Sequence, residues 1–113
     1  MYKKIFIEQQ ETTYRIYDDG RVMNEKTGRY HKGFIRNGYC WFDLRWNNKK
    51  YSKSQHRLLA EYFIENPNNY EYVHHKNNNR LDNRIDNLAW VNASENNKNE
   101  NKLPSLKDHQ DYL

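Results

Sequence analysis

The sequence predicts an α+β fold: a small N-terminal antiparallel β-sheet, a linking helix, and a closing unit of strand, polar loop, strand and helix. Three observations carry this expectation. Through residue 53, strand-like runs alternate with turn dipeptides; at Ser54 the hydrophobic period becomes helical; and beyond Asn69 two short extended runs flank an asparagine-rich stretch.

In the first part, Tyr14 and Ile16 alternate with Arg15 and Tyr17, Asp18-Asp19-Gly20 supplies turn residues, and Arg21-Val22-Met23 resumes an extended chain. Thr27-Gly28 signals a second turn before a basic stretch. Asn37-Gly38 leads into Tyr39-Cys40-Trp41-Phe42-Asp43-Leu44-Arg45-Trp46, the most strand-like run, and Asn47-Asn48-Lys49-Lys50 turns the chain once more. One small twisted sheet is expected, with Arg21, Arg29, Lys32, Arg36, Arg45, Lys49 and Lys50 on its strand faces and turns and Lys53 closing the basic set.

From Ser54, Leu58, Leu59, Tyr62 and Phe63 form a helical stripe that Ser54 can cap and Asn66-Pro67 stops. His56, in the first turn, is expected at the surface or in a capping role. Tyr70 to His75 reads as extended and Leu88-Ala89-Trp90-Val91 as a second short strand. Thirteen of the thirty-six residues from Asn66 to Asn101 are asparagine. Leu81, Ile85, Leu88, Trp90 and Val91 interrupt the tract as a folded loop would, and Asn side chains hold a tightly wound backbone by hydrogen bonds. Asn92 with Glu95 resembles a capping box, so a helix is expected from about Ala93 to Lys102. Three parts follow: a basic β-rich module over 1–53, the helix and closing unit over 54–102, and a tail over 103–113.

Composition excludes several classes. The chain has 113 residues, 35% hydrophobic and 30% charged, and a mean hydropathy of −1.36 that would suit disorder, but 15% are aromatic, which disorder lacks. One cysteine, Cys40, excludes an internal disulfide framework and a cysteine zinc site. No run approaches the roughly 18 apolar residues of a membrane span, and the start is too quickly polar for a signal peptide, so a cytoplasmic protein without membrane association is expected. Net charge is +4, unevenly spread: residues 1–50 carry eleven Lys/Arg against six Asp/Glu, residues 51–113 eight against nine. Such a basic segment suits a phosphate backbone; a solvated surface without a partner is the other reading.

His74-His75 is the sharpest local feature. Strand neighbours point to opposite faces, so both serve one site only if the chain bends or if the two act differently on either side of a scissile phosphate. An adjacent pair alone does not establish catalysis. However, Val73-His74-His75-Lys76-Asn77-Asn78-Asn79, Leu81-Asp82-Asn83, Asn87-Leu88-Ala89-Trp90-Val91 and Glu95-Asn96 together resemble the HNH endonucleases, specifically the phage intron-type homing branch with its ββα-metal (His-Me finger) core. Upstream, Tyr14-Arg15-Ile16, Gly20-Arg21-Val22, Thr27-Gly28-Arg29, Gly38-Tyr39, His56-Arg57-Leu58-Leu59-Ala60, Phe63-Ile64 and Asn66-Pro67 resemble the DNA-binding module and linking helix of these enzymes. The resemblance covers about residues 12 to 100.

By position, the resemblance implies that His75 is the general base, His74 the first metal ligand and Asn96 the second. Asn87 would tie down the loop and orient the His75 ring. One divalent ion is implied, Mg²⁺ in first place with Mn²⁺ or Zn²⁺ as alternatives, its shell completed by phosphate and water. The implied partner is double-stranded DNA, gripped by the basic module and nicked or cut. Two departures stand out. Asn99 occupies a position where many relatives have His, and Glu100, at i+4 from Asn96, is a substitute ligand on the same helix face. The residues from 103 onward are too few for the C-terminal helix-turn-helix of homing relatives, so either limited sequence preference or a protein partner supplying specificity is expected. The alternatives are a DNA-binding module with a degenerate nuclease site and an RNA or protein interaction domain. Trp41, Trp46 and Trp90 are expected in packing.

Overall fold

A computed structural model of the chain describes residues 1–94, and these form an α+β fold of three antiparallel sheets around one helix. The first sheet contains β1 (Tyr2–Ile7), β2 (Gln10–Tyr17), β3 (Val22–Asn24) and β4 (Arg29–Tyr30) in sequence order. Glu8 and Gln9, with φ of 52° and 66°, close the β1–β2 hairpin, as positive φ at both central residues matches the strand twist. Alternation on β2 buries Thr12, Tyr14 and Ile16 and turns Arg15 and Tyr17 outward. The second sheet contains β5 (Phe34–Arg36), β6 (Tyr39–Trp46) and β7 (Lys49–Ser54), and the third pairs β8 (Tyr72–His75) with β9 (Leu88–Val91).

Where a single N-terminal sheet is expected, there are two. The first ladder ends at Tyr30, and His31, Lys32 and Gly33 carry the chain across to the second, so each sheet lays one face on a common core. Lys49 and Lys50 begin β7 instead of turning the chain. Asn47 and Asn48 both adopt the left-handed conformation, so two residues complete the turn and Lys49 already pairs with Trp46.

Helix α1 (Gln55–Phe63) begins where the hydrophobic period changes, and its stripe buries Leu58 and Leu59. Ser54 occupies the N-cap position with an extended backbone but makes no side-chain capping bond. The helix ends before Asn66-Pro67: Ile64 is already extended, its N–H donating to Ala60 O. Asn66 instead closes the following loop, accepting from Tyr70 N and donating to Tyr70 O, both at 2.9 Å. Ile5, Ile16, Val22, Leu44, Leu59 and Val73 are among the members of one core cluster that draws on all three sheets and the helix. Trp46 and Trp90 pack against it. Beyond β9, helical backbone begins at Ala93, and the rest of the expected last helix lies outside the described residues. No helix among the described residues is long and apolar enough to cross a membrane.

Candidate active site

The His74-His75 pair obeys strand alternation. Val73 and His75 point inward and are buried, whereas Tyr72 and His74 are half-buried on the other side of β8. His75 is 1% exposed, with its ring centroid 5.1 Å from that of His56 and 6.0 Å from that of Tyr39. The expectation of a surface or capping His56 is corrected: it is fully buried at the foot of α1, its ring 5.0 Å from that of Tyr39. One helical turn places His56, Leu59 and Ala60 together on the buried side, which carries the imidazole under the site. Burial, followed by the nearby His75 and Arg57, pushes the His56 imidazole down to about 3, so it is neutral at physiological pH.

The loop between β8 and β9 is tied together by its own amides. Asn87, 5% exposed in the 3-10 turn Ile85–Asn87, donates from Nδ2 to Asp82 O at 2.8 Å and to Asn77 Oδ1 at 3.0 Å, and its Oδ1 accepts from Asn77 N at 3.1 Å. Its carbonyl accepts from Lys76 N at 2.8 Å, and Asn78 N, in a residue with φ of 65°, donates to His75 O at 2.9 Å. Asp82 accepts from Arg84 Nε and Nη2, each at 2.8 Å, and from Asn77 Nδ2 at 2.7 Å. The Arg84 bonds foremost hold its carboxyl well below the usual carboxylate range.

His75 Nε2 lies 2.6 Å from Asn83 Oδ1. Asn83 Nδ2 donates to Gln55 Oε1 at 2.7 Å, and Gln55 Nε2 donates to Gly20 O at 2.8 Å. A chain of amides therefore runs from the imidazole through the first residue of α1 to the β2–β3 turn. Asn87 fastens the loop, and the side chain bonded to the His75 ring in this chain of contacts is Asn83.

Of the proposed metal ligands, His74 stands half-buried on β8, while Asn96, like Asn99 and Glu100, lies outside the described residues. Among the described residues no three His, Cys, Asp or Glu side chains converge. One imidazole fits an ion that shares its shell with phosphate, amide and water oxygens, and it does not make a preformed cage.

The basic residues divide between surfaces. Arg45 lies opposite Lys50, and Arg36, its guanidinium 4.5 Å from the Trp41 ring centre, shares their face. Lys49 and Lys53, opposite Trp46 and Phe42, project from the other face by strand alternation, and Lys53 is half-buried there. Arg29 is exposed on β4 and Lys32 on the connection after it. Arg21 is bonded to Asp19 at 2.8 Å and stacks over Tyr30 at 4.7 Å.

Sequence reasoning passed over Asn83 and Gln55 as site residues. Asn83 sat inside a quoted motif, but its partner is twenty-eight positions away, and no local period announces such a contact. It also passed over Arg80, which donates from Nη1 to Asn37 O at 2.5 Å and stacks over Tyr39 at 5.2 Å, joining the loop to the β5–β6 hairpin.

Residues 53–98 match the family model described as HNH endonuclease. Two uncharacterized HNH endonucleases of Acanthamoeba polyphaga mimivirus, L245 and L247, are 40% and 39% identical over 83 and 99 residues, covering 74% and 85% of this chain and 25% of each relative. The chain thus spans about a quarter of the length of these relatives. A solved structure of the HNH homing endonuclease I-HmuI, concerned with its DNA binding and cleavage, superposes with a TM-score of 0.79 at 30% identity, covering 90% of this chain and 58% of that one.

Proposed function

Since this chain belongs to the HNH endonuclease family, we propose that it is a homing-type nuclease that hydrolyses phosphodiester bonds in double-stranded DNA with one divalent metal ion. The observation that carries the reading is His75: an imidazole on a short strand, bonded to Asn83 within a loop that Asn87 fastens at three points. In this proposal His75 accepts a proton from the attacking water, and the fixed loop keeps its ring aligned during transfer. Residues 54–102 would be the cutting part, a ββα-metal unit with β8 and β9 as its strands, and residues 1–53 would grip the duplex. His74 and Asn96 would hold the ion, with Mg²⁺ favoured and Mn²⁺ or Zn²⁺ as alternatives, and the ion would neutralise charge developing on the scissile phosphate.

The deciding assay incubates supercoiled plasmid with protein and Mg²⁺ or Mn²⁺, with and without chelator, beside His75→Ala. We expect metal-dependent relaxation by the wild type and a loss of about 10²- to 10⁴-fold in the variant, with DNA binding retained. If both proteins bind DNA and are equally inert, the chain is a binding module with a degenerate nuclease site.

A further inference from the structure

We infer that Gln55 and Asn83 are positioning residues that fix the tautomer of His75, placing its proton on Nε2 and its basic lone pair on Nδ1. A neutral imidazole has one N–H and one acceptor nitrogen, and only the acceptor can take a proton from water. The bond from Nε2 to Asn83 leaves the roles undecided by itself, since a primary amide can present either its oxygen or its NH₂. The direction is set at the far end of the chain of contacts. Gly20 offers a backbone carbonyl, which can only accept, so Gln55 must present its NH₂ there at 2.8 Å. Its Oε1 then faces Asn83 and accepts at 2.7 Å, which turns Asn83 Oδ1 toward the ring at 2.6 Å. An oxygen facing Nε2 requires a proton on Nε2.

The terminal anchor is built for close approach. Gly20 has a φ of 94°, and a Cβ at that position would lie 2.6 Å from Gln55 Nε2. Glycine therefore permits both the left-handed backbone and the side-chain contact. His75 itself is 1% exposed, so bulk water does not compete freely for the Nε2 bond. The inference rests on the proposal that His75 is the base; the tautomer, though, is measurable whether or not DNA is cut.

The test is the ring nitrogen spectrum of the full chain labelled with ¹⁵N-histidine, with His75 assigned by difference from His75→Gln. Wild type is expected to show a protonated Nε2 and an unprotonated Nδ1 in the neutral ring. Gln55→Glu can accept from Asn83 as Gln55 does and should keep that tautomer. Gln55→Lys can only donate, so it should capture Asn83 Oδ1, turn the NH₂ toward Nε2 and move the proton to Nδ1. Plasmid cleavage by the Lys variant should fall at least about tenfold below that of the Glu variant. Gln55→Met, which releases Asn83 without reversing it, should give a mixture of tautomers and serves if the Lys variant does not fold. A wild-type proton on Nδ1, or one unchanged tautomer across the folded variants, overturns the inference. The expected tautomers without any cleavage would instead reject the nuclease reading and leave the positioning role standing.

Discussion

Burial keeps the His56 imidazole neutral down to about pH 3, whereas in an unfolded chain it would protonate near 6.5. Its folded-state value is the lower one, so the unfolded state binds more protons between those limits. Stability from this residue is complete above about pH 6.5 and declines as pH falls toward 3. Between pH 7 and pH 5 the loss is about 2 kcal/mol. Urea titrations at the two pH values check this: wild type should lose that stability on acidification, and His56→Phe should remove most of the difference. Equal acid sensitivity in both proteins would assign the loss elsewhere. The same burial explains why His56 was misjudged from sequence. A polar residue in the first turn of a helix is ordinarily solvated, and the Tyr39 and His75 rings that enclose it come from strands seventeen and nineteen positions away.

The β8–β9 loop depends on asparagine for two different physical reasons. Asn87 is itself buried and uses both ends of its amide within the loop, so Asn87→Ala leaves Asp82 O and Asn77 N without their contacts and should cost about 2 kcal/mol. Hydrogen exchange at Asn77 and Asn78 should accelerate in that variant while the β6–β7 amides keep their protection. Asn78 serves the same loop through its backbone, with a φ of 65°, as Asn48 serves the β6–β7 turn with a φ of 62°. Asn48→Gly should be nearly neutral, and Asn48→Val should cost roughly 1–2 kcal/mol in thermal or chemical unfolding. Elements with strong local signals were legible in the sequence: Tyr39–Trp46 and Leu88–Val91 have the bounds that their residues indicate. β1 was not, since Lys3 and Lys4 dilute its alternation and its pairing with β2 supplies the missing information. The helix stop was misplaced because Asn66-Pro67 signals a loop closure at Tyr70, and α1 had already ended. His74 and His75 needed no correction of direction, as alternation alone puts them on opposite sides.

At the scale of the whole fold, the basic residues of the second sheet divide between its two faces: Arg36, Arg45 and Lys50 on one, Lys49 and Lys53 on the other. If the outer face of the second sheet meets the duplex, joint reversal of Arg36, Arg45 and Lys50 to Glu should flatten the dependence of log affinity on log salt by about 0.9 for each phosphate no longer neutralised. Reversal of Lys49 and Lys53, on the other face, should change the slope less. Fluorescence anisotropy over a salt series distinguishes the two sets, and equal effects would move the footprint to the sheet edge. Composition alone makes this excess of charge plain, but the assignment of each charge to a face requires the β6–β7 register.

The common hydrophobic cluster bears on how such a protein can change over time. Ile5 and Ile16 from the first sheet, Leu44 from the second, and Val73 and Leu88 from the third share one interior with Leu58, Leu59 and Ala60 of α1. Grafting a new N-terminal half onto residues 54–94 therefore replaces half of an interior as well as a surface. If the outer face of the second sheet meets DNA, substitutions at outward positions such as Arg36, Arg45 and Lys50 would alter that contact and leave the inward side chains untouched. Wholesale recombination at residue 53 would have to supply matching apolar surfaces in the same event.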